Sequence, residues 1–165
     1  MNMQRLYAFI VGVFLISCAS AGPMPPINPD SALYIVKVEP GVTYDDVVTS
    51  LKVAAEGKNF VSPAVFPIGE HIRQRGQELQ GILEVRTYCS LSIGAEVLRD
   101  YPEFAAFAPC RIAIYEKQGA LYMALDRPTY ALRYLGEVNQ RARDAAKEIE
   151  DTLIWMMDKA RKGDI

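Results

Sequence analysis

The stretch CRIAIYEKQGALYMAL, residues 110–125, decides the fold because it predicts two strands joined by a tight turn. Cys110, Ile112 and Ile114 recur at every second position, which is the period of a strand with one buried face. Gln118-Gly119 is a typical turn pair, and the stretch that follows it is again apolar. The sequence therefore predicts a β-hairpin in this stretch.

Three further segments upstream of the hairpin have strand character. Residues 33–38 (LYIVKV) and 82–89 (ILEVRTYC) are rich in β-forming residues, and residues 60–66 are extended but interrupted by Pro63, which predicts an edge strand. Alternation along the second of these strands predicts one face with Leu83, Val85, Thr87 and Cys89 and an opposite face with Ile82, Glu84, Arg86 and Tyr88.

Two helices are predicted between these strands. Thr43, followed three residues later by Asp46, predicts a capped helix start, and Gly57 predicts its end. A serine at position 90 or 92 predicts the cap of a second helix that runs as far as Tyr101, where Pro102 stops it. The segment at residues 70–80 is polar and fits either a short helix or a loop.

A long C-terminal helix is predicted over residues 138–162, because apolar residues recur there at steps of three and four and Gly163 follows. Ile154, Trp155 and Met157 lie outside this apolar seam. A helix that is apolar over so much of its circumference packs on two sides or meets a partner. The sequence thus predicts a homodimer contact near Trp155.

The element order β-α-β-β-α-β-β-α indicates an α+β domain over residues 32–165, a mostly antiparallel sheet with helices packed on one face. With half of its residues hydrophobic, the chain is not disordered. The domain lacks the excess of basic residues that nucleic acid or an anionic membrane surface requires, since 17 basic residues remain against 20 acidic ones once Arg5 is removed with residues 1–18. Nucleic acid is therefore not an expected partner.

Residues 1–18 have the pattern of a secretory signal peptide. Arg5 precedes an apolar stretch that is too short to span a bilayer, and Leu15-Ile16-Ser17-Cys18 resembles a bacterial lipobox. Cleavage there would expose Cys18 for acylation with fatty acids such as palmitate and tether the chain to a membrane facing the periplasm. Ordinary cleavage after Ala19-Ser20-Ala21 gives the alternative, a soluble periplasmic protein. Residues 19–31 are rich in proline and predict a semi-rigid linker that holds the domain off the membrane.

Residues 88–116 contain a recognisable pattern. Tyr88-Cys89 closes one strand, and Pro109-Cys110-Arg111 opens the next at the end of the stretch FAAFAPCR. Over residues 33–130 the chain resembles the bacterial domain of unknown function 302 family. It departs from that family at Ser90-Leu91, where many members have Asn-Pro or Asp-Pro. The resemblance implies a compact α+β fold and no nameable activity.

The candidate thiol or ligand site consists of Cys89, Cys110 and Arg111. A cysteine just before a helix N-terminus, or beside an arginine, can have a lowered pKa and react as a thiolate. The alternative is that both cysteines are simply buried in the core. If the strand that starts at Cys110 runs parallel to the strand that ends at Cys89, the two thiols lie about 20 Å apart, and no disulfide joins them.

No metal site or cofactor is assigned from the sequence. His71 is the only histidine, and with Cys89, Cys110 and Met123 it supplies the ligand types for copper(I) or haem, but the spacing does not bring these residues together. We expect a lipid-anchored envelope protein with a ligand-binding or accessory domain. The alternative is a thiol-dependent redox or sulfur-handling protein that uses Cys89 and Cys110, with or without a bound metal or haem.

Overall fold

A computed structural model describes residues 22–165 as an α+β domain built on one five-stranded antiparallel sheet. The strands are β1 (Leu33–Lys37), β2 (Val65–Phe66), β3 (Leu83–Tyr88), β4 (Cys110–Lys117) and β5 (Ala120–Asp126). Their order across the sheet is β1-β5-β4-β3-β2, and every neighbouring pair is antiparallel. The predicted fold class is confirmed.

The hairpin at residues 110–125 forms as predicted, with the pairing of Lys117 and Ala120 closing a two-residue turn. Both turn residues, Gln118 (φ 53°) and Gly119 (φ 71°), have positive φ. Such a turn matches the twist of antiparallel strands, and glycine adopts this backbone conformation at no steric cost.

The helices comprise three of at least two turns and two short ones. They are α1 (Tyr44–Gly57), α2 (Ile68–Arg73), α3 (Leu91–Leu98), α4 (Pro128–Ala131) and α5 (Gln140–Lys162), with 3-10 segments at Pro102–Phe107 and Leu132–Leu135. Thr43 and Asp46 form the predicted capping box, and Ser90 caps α3. The last helix begins two residues later than predicted, because the Asn139 side chain accepts a hydrogen bond from the Ala142 amide and caps it there.

One face of the sheet, which we call the covered face, packs against α1 and α5. It presents fully buried side chains such as Ile112, Ile114, Met123 and Leu125 to apolar residues of the two helices. The other face, which we call the open face, presents Ile35, Ala113, Tyr115, Tyr122 and Ala124, all of which retain exposed surface. The prediction that the helices pack on one face holds for α1 and α5, whereas the short helix α2 packs on the open face, where Gly69 lies against Leu83.

A second, smaller apolar cluster lies at one end of the sheet. There α3, the segment Pro102–Phe107 and α4 pack against the N-terminal half of α5, around Val97, Phe104 and Ala142. This cluster holds in place the segment that precedes β4 and the segment that follows β5. The two strand ends are therefore held next to each other.

In β3, the side that faces the core is the opposite of the one that its apolar residues indicated. Glu84 and Tyr88 are buried on the covered face, whereas Leu83 and Val85 lie on the open face. The Tyr44 hydroxyl of α1 donates to Glu84 (2.8 Å) and Arg86 Nε donates to Glu84 (2.6 Å), so the buried charges are satisfied. Register with β4 decides this orientation, since Tyr88 pairs with Cys110.

Residues 22–31 lie against the domain rather than extending from it as the predicted spacer. Tyr34 donates to the Pro25 carbonyl (2.8 Å), and Arg127 donates to the carbonyls of Asn28 (2.6 Å) and Ser31 (2.8 Å). Arg161, near the end of α5, donates to the Gly22 carbonyl. The predicted signal peptide and Cys18 lie outside the described residues. Between residues 22 and 165, no helix has both the length and the hydropathy to cross a membrane.

Candidate functional site

A small cleft lies at the end of the sheet where β4 begins and β5 ends. Its volume is about 170 Å³, close to that of an apolar cavity that holds one benzene molecule. It is lined by Leu33, Phe107, Cys110, Arg111, Asp126, Arg127, Tyr130 and Tyr134, together with Ala32, Pro128 and Ala131. Two of the three predicted site residues, Cys110 and Arg111, therefore contribute to it.

An ion pair between Arg111 and Asp126 forms the polar side of the cleft. The Arg111 amide donates to Asp126 Oδ1 (2.7 Å), and its Nε donates to Oδ2 (2.8 Å), with Nη2 at 2.6 Å from the same oxygen. Partial burial raises the pKa of Asp126, although the hydrogen bonds from Arg111 act in the opposite direction. Within residues 22–165 the remaining amino group, Nη1 of Arg111, donates no hydrogen bond, so it can bind an acceptor on a ligand.

Aromatic rings form the opposite side of the cleft. Phe107 stacks on Tyr134 at 5.8 Å between ring centroids, and Tyr130 meets Tyr134 edge-on at 6.3 Å. Arg133 lies over the Tyr130 ring at 4.7 Å. Tyr134 is 69% exposed, so this aromatic wall is open to a ligand from solvent. Offset-stacked and edge-on contacts with a further ring are favourable in such a setting.

Arg127 forms the buried inner end of the cleft and is committed to structure. Its Nε donates to Glu150 of α5 (2.9 Å), and its other donors go to Thr129 and to the carbonyls of residues 28 and 31. Both side chains of the pair are less than one tenth exposed. The pair ties β5, α5 and the N-terminal segment together, and this fixes the cleft from behind.

The two cysteines differ in position, and neither has the lowered pKa expected of a reactive thiolate. Cys110 is buried, and burial raises its pKa to about 12, with the nearby Asp126 adding to the effect. Cys89 lies outside the cleft lining, and partial burial raises its pKa as well. Desolvation outweighs the effects of the α3 start and of Arg111, and both pKa shifts therefore point away from an activated thiolate.

The predicted 20 Å separation of the thiols is also wrong, since β3 and β4 are antiparallel and Tyr88 pairs with Cys110. Cys89 is the next residue along the chain and pairs with Val61 through two backbone hydrogen bonds of 2.8 and 2.9 Å. Side chains alternate in an extended chain, so Cys89 points away from the face that Cys110 and Tyr88 share. Both cysteines are free. They lie close together along neighbouring strands but form no disulfide, because their side chains alternate in direction.

The candidate copper or haem ligands are not brought together. His71 is exposed on α2, whereas Met123 is fully buried on the covered face. Met123 pairs with Ile114, four residues along β4 from Cys110, which corresponds to about 13 Å. Among residues 22–165 no group of three or more His, Cys, Asp or Glu side chains could hold a metal ion.

The apolar residues outside the seam of α5 are mostly accommodated within the domain. Met157 is fully buried, and Ile154 packs against the core. Trp155 remains 40% exposed, with the Lys58 amino group 4.8 Å from its ring centroid. The predicted homodimer contact at Trp155 thus stays a prediction on a small surface.

Nine of the eleven lining residues were absent from the predicted site, among them Phe107, Asp126, Tyr130 and Tyr134. Phe107 stands in the FAAFAPCR stretch that carries the family resemblance, and that position was the available signal. Asp126 contacts Arg111 only because β4 and β5 pair in register. Extending the predicted hairpin by one further pair of residues would have predicted this contact. No sequence pattern indicates the two tyrosines.

Comparison with known proteins supports the resemblance. The family model described as "Domain of unknown function DUF302" matches residues 34–160, most of the chain. The chain belongs to this family. The match contains all five strands apart from Leu33, and it extends through most of α5. The predicted family membership is thereby confirmed, and the DUF302 match includes Cys89, Cys110 and all of the cleft lining except Ala32 and Leu33.

Two proteins illustrate what this DUF302 chain is similar to. An uncharacterized protein of Aquifex aeolicus (strain VF5) is 38% identical over 96 residues, which cover 58% of this chain and 60% of the relative. The chain thus spans about three fifths of that relative's length. A crystal structure of an uncharacterized conserved protein DUF302 from Bacillus stearothermophilus matches with a TM-score of 0.70. It covers 78% of this chain and 98% of its own at 19% identity, and shows that the fold is shared.

Proposed function

We propose that this protein is a lipid-anchored, periplasm-facing ligand-binding domain that takes a small aromatic monoanion in the cleft between Arg111 and Tyr134. The observation that carries the proposal is that an aromatic wall faces the Nη1 amino group of Arg111, whose other side-chain nitrogens are held by Asp126, across a volume of about 170 Å³. One six-membered ring fills such a space. Each guanidinium group of the lining is paired with a carboxylate, and Nη1 of Arg111 is the donor that remains for an acceptor group such as a carboxylate on the ligand.

The chemistry of the lining favours binding over catalysis through a thiol. A buried thiol with a pKa of about 12 is protonated at neutral pH, and only the thiolate is a nucleophile or a metal ligand. Arg111 can hold a carboxylate through Nη1 while Asp126 keeps its guanidinium plane in place. The stacked Phe107 and Tyr134 provide the surface for the ring.

The test is a titration of the chain with benzoate, followed by two-dimensional NMR of the backbone amides. Benzyl alcohol and benzylamine have the same ring with a neutral and a cationic substituent. We expect benzoate to perturb the amides of residues 107, 111 and 126, with affinity at least tenfold above that of benzylamine. Equal affinities for the three compounds, or perturbations away from the cleft, would contradict the proposal.

Two variants separate the ring contact from the charge contact. Tyr134→Ala removes the exposed ring and is expected to weaken the binding of all three compounds. Arg111→Gln is expected to weaken the binding of benzoate alone. Trp155→Ala is the matched control, because Trp155 is a partly exposed aromatic residue outside the cleft. If Trp155→Ala weakens benzoate as much as Tyr134→Ala does, the cleft is not the site.

The membrane tether through acylated Cys18 is supported by the lipobox and by the packing of residues 22–31 against the domain. Cys18 precedes Gly22 by four residues, a distance of at most about 14 Å in a fully extended chain. Since Arg161 holds the Gly22 carbonyl, a lipid on Cys18 brings the end of α5 close to the bilayer surface. Several acyl chains are needed for stable anchoring.

Metabolic labelling with an alkyne analogue of palmitate tests the tether. We expect the full chain, expressed in a bacterial host, to carry the label and to sediment with membranes. Cys18→Ser should abolish both properties, and Cys89→Ser should change neither. An unlabelled, processed chain in the soluble periplasmic fraction would favour the alternative cleavage after Ala21.

A further inference from the structure

A second cavity lies at the edge of the covered face, between the second half of α1 and the strands β2 and β3. Its volume is about 490 Å³, within the range of roughly 300–1,000 Å³ that small-molecule sites occupy. The residues of its lining that bear on a ligand are Lys52, Glu56, Phe60, Ser62, Arg86 and Tyr88. We call this space the edge cavity. It shares no lining residue with the cleft at Arg111.

The edge cavity contains a deeply buried hydroxyl group without a partner. Tyr88 is only 1% exposed, yet its hydroxyl forms no hydrogen bond within residues 22–165. Every fully buried polar side-chain atom of this part of the chain does have a partner, so the small exposed remnant of Tyr88 includes its hydroxyl. Since Tyr88 lines the edge cavity, the hydroxyl opens into it. A donor in this position favours a ligand that accepts a hydrogen bond from it.

Arg86 provides a second donor, two residues earlier on the same face of β3. Its Nε donates to Glu84 (2.6 Å), and its Nη2 donates to the Tyr44 hydroxyl (3.3 Å). The Tyr44 hydroxyl donates in turn to the second oxygen of Glu84 (2.8 Å), so the guanidinium plane is held from one side. Nη1 of Arg86 donates no hydrogen bond within residues 22–165, and it remains for an acceptor on a ligand.

The edge cavity has no net charge but offers one unpaired group of each sign. Glu84 neutralises Arg86, which leaves Lys52 and Glu56 as the remaining charges. They lie one turn apart on α1, yet neither forms an ion pair with any residue of the described chain. A lysine that precedes a glutamate by four residues is the less favourable order, and such exposed pairs are weak. A ligand with both charges can therefore engage both groups.

We propose that the edge cavity binds a zwitterionic α-amino acid with an apolar side chain. The two oxygens of its carboxylate accept from the Tyr88 hydroxyl and from Nη1 of Arg86, which is a charge-assisted contact. Its ammonium group donates to Glu56, which is exposed to solvent at the rim. The carboxylate thus occupies the inner end, where a donor would otherwise stay unpaired.

The apolar part of the lining accounts for the side chain of such a ligand. Val61 and Val65 are 46% and 43% exposed and face the edge cavity, and the buried Phe60 lies between them and α1 in the lining. Covering exposed apolar surface is favourable, so an aliphatic side chain gains from contact with the two valines. A ligand with charged groups alone would leave this surface in water.

Isothermal titration calorimetry of the detergent-extracted full chain tests the site with three compounds of similar shape. L-Leucine carries both charged groups, 4-methylpentanoate lacks the ammonium group and 3-methylbutylamine lacks the carboxylate. We expect L-leucine to bind about tenfold or more tightly than either of the other compounds. Equal affinities for the three compounds, or no saturable binding of L-leucine at millimolar concentrations, would overturn the proposal.

Tyr88→Phe tests the contact with the carboxylate. It removes only a hydroxyl that has no partner within residues 22–165, so the fold should be retained, which circular dichroism checks. We expect the affinities for L-leucine and 4-methylpentanoate to fall by about tenfold. Tyr34→Phe is the matched control, because Tyr34 is a buried tyrosine of the covered face outside the edge cavity. An unchanged affinity for L-leucine in Tyr88→Phe would contradict the proposal.

Glu56→Gln tests the contact with the ammonium group. We expect weaker binding of L-leucine and unchanged binding of 4-methylpentanoate, which has no ammonium group. Asp45→Asn, at an exposed acidic position of the same helix, is the control and should leave both affinities unchanged. If Glu56→Gln weakens both compounds equally, or neither of them, Glu56 does not bind the ammonium group and the zwitterion is not the ligand.

This proposal is independent of the ligand site at Arg111. Tyr88→Phe should bind benzoate like the unmodified chain, and L-leucine should not displace benzoate. Loss of L-leucine binding in Tyr88→Phe with intact benzoate binding supports the edge cavity as a second site. L-Leucine binding that depends on Tyr134 and not on Tyr88 would refute it while leaving the cleft in place.

Discussion

The two faces of the sheet are made by the same strands, yet they serve opposite purposes. In β5, Met123 and Leu125 are completely buried against α1 and α5, while Tyr122 and Ala124 lie on the open face. Side chains alternate at a period of two, so one strand supplies both surfaces. The comparison shows that apolar character alone does not mark the core, because the open face is apolar as well.

The contrast is sharpest at the end of β5, where two consecutive residues form ion pairs on opposite sides. Asp126 pairs with Arg111 towards solvent, with the two side chains 28% and 52% exposed. Arg127 pairs with Glu150 on the covered face, with exposures of 8% and 4%. Charges in solvent are screened, whereas buried charges depend on their partner. The following predictions test this difference between the faces.

The largest effect is expected from breaking the buried pair. Glu150→Gln leaves the Arg127 guanidinium buried without a countercharge, which should lower the free energy of unfolding by about 3–5 kcal/mol. Urea denaturation measures it, and Glu148→Gln at an exposed position of the same helix is the control. A loss below 1 kcal/mol would mean that solvent reaches this site.

A smaller difference should separate apolar residues on the two faces. Leu125→Ala removes a fully buried side chain and should cost about 3 kcal/mol, since it leaves a cavity in the core. Ile35→Ala on the open face should cost about 0.5 kcal/mol in a monomeric sample. Similar losses for both variants at concentrations that exclude association would contradict the assignment of the covered face.

Alkaline pH should destabilise the fold through Cys110. Its folded pKa of about 12 lies above the reference value of 9.0, so its contribution is complete below pH 9. The contribution is lost as the pH rises towards 12, because the unfolded chain releases the proton first. Cys110→Ala should therefore reduce the decline in thermal stability between pH 9 and 11, and Cys89→Ala should reduce it less. An unchanged pH profile in both variants would show that the thiols do not contribute.

The smallest effect belongs to the solvent-facing pair. Arg111→Ala should change the free energy of unfolding by no more than about 1 kcal/mol, because half-exposed ion pairs contribute little. The same denaturation measurement applies, with Arg141→Ala as a second exposed arginine for comparison. A loss as large as that of Glu150→Gln would remove the distinction between the two sides of β5.

Much of the fold was predictable because its signals are local. The hairpin turn, the capping box at Thr43, the edge position of the segment with Pro63 and the long helix before Gly163 each depend on residues a few positions apart. The candidate site was predicted only in part. Cys110 and Arg111 line the cleft, while Cys89 does not. The aromatic side of the cleft combines Phe107, close to Cys110 in the sequence, with two tyrosines that follow β5, Tyr130 and Tyr134.

By itself, the sequence determined the succession of the five strands and the three longer helices, the DUF302 membership and the alternation of side chains within each strand. Only the tertiary structure decided which side of β3 is buried, which residue pairs with Arg111 and whether the thiols are activated. The physical reason is that the period of a side-chain pattern is a property of one segment, whereas the register of a strand depends on the two strands that pair. Burial likewise depends on every residue that packs nearby. It raises the pKa of Cys110, although the neighbouring residues along the chain indicated a lowered pKa.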